Sequence, residues 1–198
     1  MQNINFPLKF VFNVTSLAND FTATDVNGET VGYVRQKMFK LKEDINIYSD
    51  KTRENIEYTI KADRWLDFSA SYTFRDKDGT ELGKIGRKGW ASLWKAHYEI
   101  FDQNQELQYT VREENAWVKV LDGLLGEIPI LGMFMGYIFN PSYIVTDNQG
   151  QTIVRLKKEP SMLGRRFQVD KVGALDNDDD DRILLGLMMM ILLERRRG

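Results

Sequence analysis

Asp176-Asn177-Asp178-Asp179-Asp180-Asp181-Arg182, then Ile183-Leu184-Leu185-Gly186-Leu187-Met188-Met189-Met190-Ile191-Leu192-Leu193, then Glu194-Arg195-Arg196-Arg197 closes this chain of 198 residues. The stretch reads as a helix with both ends marked. Carboxylates stand where unpaired N–H groups and the positive end of the macrodipole favour them, and arginines stand at the negative end. Between them every residue is uncharged and every face is apolar, so the helix must be surrounded by protein or by lipid. Eleven residues rise roughly 16 Å, against a hydrocarbon core of about 30 Å that takes about 20 residues to cross. The segment is too short to span a bilayer. Burying some ten large apolar side chains is worth on the order of 15–30 kcal/mol gross, enough to organise a soluble fold. The rest of the chain is expected to be a container for residues 181–195, all within one domain, 1–198.

Composition narrows the class. Hydrophobic residues make up 42% and aromatics 12%, ample for a core. No cysteine is present, which excludes disulfides and thiolate-bound metals, and the single histidine, His97, argues against histidine-rich metal sites and a histidine-based triad. The first residues, Met1 to Pro7, carry no basic segment followed by an apolar run, so a cytoplasmic protein is expected, soluble or peripheral at a membrane. The net charge of −2 comes entirely from residues 176–198, so nothing global suggests nucleic acid as a partner. No Gly-x-Ser-x-Gly, phosphate loop or dinucleotide fingerprint occurs; no catalytic residue, cofactor or metal site is expected.

The chain before the helix repeats. Phe21–Val34, Tyr72–Ile85 and Tyr143–Leu156 align without gaps on an aromatic residue, an Asp four positions later (Asp25, Asp76, Asp147), a Gly three beyond it (Gly28, Gly79, Gly150), and apolar positions after that. Weaker copies turn at Asp50 and Asp102 without the glycine. Alternating apolar residues flanking Asp-x-x-Gly describe antiparallel strands joined by tight turns, with Asp bonding its own backbone and Gly supplying positive φ. The motif also opens like a calcium loop, but the later acidic ligand is misplaced and a strand follows in place of a helix. Further strand-like runs at Leu8–Val14, Phe39–Tyr48, Ile56–Lys61, Phe68–Phe74, Leu93–Phe101, Leu107–Arg112, Trp117–Leu121 and Arg165–Val172 bring the total to about a dozen. So many strands avoid exposed edges by closing into a barrel, and a large barrel encloses something.

Taken together, the Asp-x-x-Gly hairpins, the Gly83-Lys84-Ile85-Gly86-Arg87-Lys88 strand and the acid-capped apolar helix resemble the Tubby C-terminal-like superfamily, in particular the LURP-one-related proteins and the phospholipid scramblases. The resemblance implies a mainly β fold: a closed antiparallel barrel of about twelve strands around a hydrophobic C-terminal helix. It also implies a non-enzymatic module that binds anionic phospholipid headgroups through external cations, or a scramblase-like lipid-handling protein.

Three features are candidates for that function. Arg35, Lys37, Lys84, Arg87, Lys88, Arg155 and Lys157 follow the repeated turns; in the first and third hairpins Arg35/Lys37 and Arg155/Lys157 alternate with Val34 and Leu156, which places those cations outside, and the resemblance implies an external basic patch for the set. They read either as a headgroup site or as the charged exterior of any soluble barrel. The acidic run 176–181 reads as helix capping or, through the scramblase resemblance, as a cation site. Residues 123–139, Gly-rich with Glu127 as the one charge, read as core packing that includes a short helix after Pro129. Exposed, they would instead be a membrane- or partner-docking surface. A structural module with an unknown protein partner and no small ligand is the third functional reading.

Overall fold

The positions of five aspartates set out the sheet. In the computed structural model Asp25 Oδ1 accepts from the backbone N–H groups of Asn27 (2.8 Å) and Glu29 (2.9 Å). Asp76, Asp102 and Asp147 repeat the arrangement at residues 78 and 80, 104 and 106, and 149 and 151. Asp50 accepts from Thr52 at 2.7 Å. The fourth residue of every turn is left-handed: Gly28 (φ 82°), Arg53 (64°), Gly79 (85°), Gln105 (68°) and Gly150 (80°). The copies that lack glycine therefore adopt the same turn, with a side chain forced into a conformation that costs roughly 1–2 kcal/mol. A register shift accompanies each turn, one residue bulging so that the paired strands keep their twist.

The structure describes residues 4–13, 19–36, 44–63, 71–87, 96–114, 141–161, 165–174 and 177–195. Within them lie β1 (Leu8–Phe12), β2 (Asp20–Thr24), β3 (Thr30–Gln36), β4 (Asp44–Tyr48), β5 (Ile56–Ala62), β6 (Ser71–Asp76), β7 (Glu81–Arg87), β8 (His97–Phe101), β9 (Leu107–Glu113), β10 (Ser142–Asp147), β11 (Thr152–Glu159), β12 (Arg166–Lys171) and the helix α1 (Asn177–Arg195). Each strand pairs antiparallel with its sequence neighbours, and β1 closes on β12 through Leu8↔Val169 and Phe10↔Phe167, giving a closed twelve-stranded barrel. Because every Asp turn follows an even-numbered strand, all five lie at one end of the barrel, the turn end.

The helix fills the barrel. Ile183 through Leu192 are all buried, with no face left to solvent. They pack among inward residues of the wall such as Phe10, Phe21, Val34, Ile60, Phe74, Ile85, Ile100 and Leu156. Contact is tightest at Gly186, where a Cβ would stand 2.7 Å from Ile100 Cδ1. The helix begins at Asn177, four residues before the expected start, because the barrel mouth binds the acidic run as its first turn. Several other expectations, the Trp117–Leu121 strand, the helix after Pro129 and the role of residues 123–139, lie outside the described residues.

Two outcomes test this account. Arg53→Gly and Gln105→Gly should each raise stability by about 0.5–1 kcal/mol in urea unfolding, since relief of left-handed strain exceeds the entropy that glycine adds to the unfolded chain. Deleting residues 182–198 should leave a chain without a cooperative unfolding transition, because the cavity would forfeit the contacts of the whole inner wall.

Candidate functional site

The barrel has two unlike mouths, and the alternation of large and small residues builds the first. The third residue of each strand leaving an Asp turn points inward: Gly32, Tyr58, Gly83, Tyr109 and Val154. Tyrosine occupies this level in the two hairpins without turn glycine, and a small residue occupies it in the other three. Tyr58 donates to Asp181 Oδ2 (2.6 Å) and Tyr109 to Asp179 Oδ2 (2.8 Å), so wall hydroxyls hold the first turn of the helix. Gly83 makes room for Arg182, whose Nε donates to Leu82 O (2.9 Å) and whose Nη1 pairs with Asp179 Oδ1 (2.6 Å). A Cβ at Gly83 would come within 2.2 Å of Phe101 O and 3.1 Å of Arg182 Cδ, at φ +143°.

Outside this ring the turn end is acidic. Asp50 is held below its ordinary value by the hydroxyl and N–H of Thr52. At Asp25 and Asp102 burial pushes upward but is outweighed by the N–H groups of Glu29 and Glu106 and further donors. A cleft of about 550 Å³ opens between β5, β6 and the helix, lined by Glu57, Asp76, Asp78 and Asp181 with Lys77 and Leu82. Burial pushes the Asp180 carboxyl up, against the pull of Lys171 3.6 Å away. Among the described residues no group of carboxylates and histidine is arranged to hold a metal ion. Asp179 and Asp181 act in fastening the helix.

At the opposite end, the exit end, Tyr98 donates to Glu194 Oε1 (2.7 Å), and the Arg195 guanidinium lies 4.7 Å from the centroid of the Phe12 ring. Phe12 in turn packs on Phe21 (4.9 Å) and Phe167 (6.1 Å). Lys158 occupies an inward position opposite Phe167, and Arg165 joins this corner through its carbonyl, which accepts from the Phe12 N–H at 3.0 Å.

The seven cations expected as a headgroup site do not gather. Arg35 is on β3, Lys84 on β7 and Arg155 with Lys157 on β11, each four strands from the next around a ring of twelve. The repeat that singles them out is the reason: copies recurring every four strands face three different sides. Arg35 lies opposite Asp20, Lys84 donates to Gln105 and lies 5.3 Å from the Phe101 ring centroid, and Arg155 pairs with Glu114 at 2.8 Å. Lys157 is exposed. Arg87 corrects the expected exterior placement: it shares the inward alternation of Ile85 and pairs in register with Tyr98 at the exit mouth. Lys37 and Lys88 lie outside the described residues. His97 heads β8 and is partly exposed.

Alkali tests the tyrosine fastening. Burial first, and then Asp181 and Glu194, push the Tyr58 and Tyr98 hydroxyls far above the ordinary value of 10, and burial raises Tyr143 likewise. A raised folded pKa means that the protonated form is favoured in the fold, so this stability is complete below about pH 10 and falls as pH rises beyond it. Absorbance at 295 nm should show these tyrosines ionising together with unfolding. Tyr58→Phe and Tyr109→Phe should each cost about 1.5–3 kcal/mol, as for hydrogen bonds to charged groups.

Comparison with known proteins agrees with this architecture. The LURP-one-related family model matches residues 30–124. A protein from Arabidopsis thaliana solved by X-ray crystallography is similar in fold, with a TM-score of 0.52 and 13% identity over 98% of this chain and 93% of that one. No curated protein matches. The chain thus carries a LURP-one-related match across residues 30–124 and folds over nearly its whole length as the Tubby-like barrel to which that match points.

Proposed function

We propose that this protein is a non-enzymatic tethering module that meets anionic phospholipid headgroups with the exit end of its barrel. The LURP-one-related match and the fold support a non-enzymatic module. The observation that carries the membrane orientation is the five-aspartate crown, which an anionic bilayer repels. In this reading the opposite end approaches the bilayer. There the sector formed by β11, β12 and the end of the helix carries Lys157, Lys158, Arg165, Arg166 and Arg195, with Glu159 opposite Arg166; Lys157 is a member of the cation set read from the sequence. No helix among the described residues is long and apolar enough to cross a membrane, so the contact is peripheral in this reading.

Flotation with detergent-free vesicles tests it. Binding to anionic vesicles at low salt should fall severalfold between about 0.05 and 0.2 M salt, because the Debye length shortens through about 10 Å in that range. Lys157→Glu with Arg166→Glu should abolish it, and neutral vesicles should capture nothing. Equal binding to neutral and anionic vesicles, or none to either, would sink the proposal and favour a protein partner.

A further inference from the structure

The turn end carries more exposed apolar surface than its construction requires. Of the five large hydrophobic side chains exposed among the described residues, Val26, Ile56, Leu107 and Val172 stand at this end, and only Val11 lies on the wall. Val26 is 58% exposed and Val172 53%. Ile56 and Leu107 open β5 and β9 and are the less exposed pair. The Asp turn asks nothing apolar of the position that Val26 takes: Lys51, Lys77, Gln103 and Asn148 hold it in the other four turns. Val26 and Val172 belong to one surface. The Val26 N–H donates to Asn5 O (3.2 Å), and Phe6, next along the chain, has Lys171 Nζ over its ring at 5.7 Å, with Val172 following directly. An apolar strip thus crosses the seam where β12, β1 and the β2–β3 turn meet, and Ile4 and Phe6 within it are packed on the core but partly exposed. The surroundings are acidic. Asp25 precedes Val26, exposed Glu29 follows it, and Lys171 is matched by Asp180 at 3.6 Å, leaving Lys9 on β1 as the other cation of the seam. Around the rest of this end, four of the five turns hold two carboxylates and the fifth holds one, against Lys51, Arg53 and Lys77. An apolar strip in a negative field suits neither an anionic bilayer nor the same face of a second copy, since both bring like charge. It suits a protein segment that presents apolar side chains beside lysines or arginines.

We propose that the strip from Val26 to Val172 docks a basic amphipathic segment of a partner protein. Val26 and Val172 make the apolar contacts, and Glu29 with the neighbouring turns attracts the cations of the segment. Apolar burial supplies the affinity, while the acidic field sets the approach and the orientation. With the exit end on a membrane, the barrel holds such a partner on its far side; the strip itself does not depend on the membrane reading.

Fluorescence anisotropy of a labelled synthetic amphipathic helix of leucine and lysine, titrated with the full-length protein, tests the strip. Binding should saturate and should weaken as salt screens the charges. Val26→Ser combined with Val172→Ser should weaken it about tenfold, through the loss of two apolar contacts. Val11→Ser, on the wall, should leave it unchanged, and Glu29→Lys should weaken it most at low salt. All these side chains are exposed, so the melting temperatures should match that of the parent and exclude misfolding as the cause. An oligolysine peptide of equal charge should bind more weakly and should not respond to the valine changes. Leucine–lysine binding no tighter than oligolysine binding, or undiminished in the double valine variant, overturns the proposal. Vesicle flotation lost in that variant gives the strip to a bilayer, and self-association lost in it gives the strip to a second copy; either result overturns the proposal as well.

Discussion

A helix whose middle, residues 183–193, is uncharged, apolar on every face and too short for a bilayer has one stable place in water: inside its own protein. The remainder of the architecture follows from enclosing it. A sheet wide enough to surround a helix must close, or two long edges would offer themselves to other chains. Closure is achieved by antiparallel neighbours throughout, β1 meeting β12. The helix in turn supplies the contents that a barrel of twelve strands needs, and Gly186 lets it approach Ile85 and Ile100. Its polar ends are fixed by tyrosines of the wall, Tyr58 and Tyr109 at one mouth and Tyr98 at the other. With the interior occupied by the protein's own chain, the mouths and the outer wall are the surfaces the barrel leaves for other molecules.

The turns that shape the wall also polarise it. Each hairpin requires an aspartate to accept backbone N–H groups, and five such turns crowd carboxylates at the end where the acidic first turn of the helix enters. At the far end Lys157, Lys158, Arg165 and Arg166 lie along β11 and beside β12, with Arg195 at the helix terminus. A structural requirement thereby concentrates negative charge at one end of the barrel.

The architecture was legible in the sequence because its signals are local. Asp-x-x-Gly at 25, 76 and 147 marks turns that need left-handed glycine, and the copies at Asp50 and Asp102 adopt the same turn with Arg53 and Gln105 in that conformation. The helix was marked by its uniform apolarity and charged ends. The site was less legible. Position after each turn singles out cations, but a repeat that recurs every fourth strand of a closed ring disperses such residues by construction. The inward position of Arg87 is not legible, because a cation next to glycines gives no sign of which face it takes, and the pairing with Tyr98 is a matter of register. The exchange of Tyr58 and Tyr109 for Gly32, Gly83 and Val154 is visible once all five hairpins are aligned, but its meaning depends on a helix lying across that level.

The central claim is that residues 183–192 form the innermost part of a cooperative core. Native-state hydrogen exchange of their amides tests it most directly. The account predicts that these amides exchange only through global unfolding, with the same free energy as the most protected strand amides around Ile85 and Ile100. Exchange of the helix at a free energy well below that of the strands would show that it leaves the barrel while the wall stands, and would contradict the dependence of the barrel on its contents.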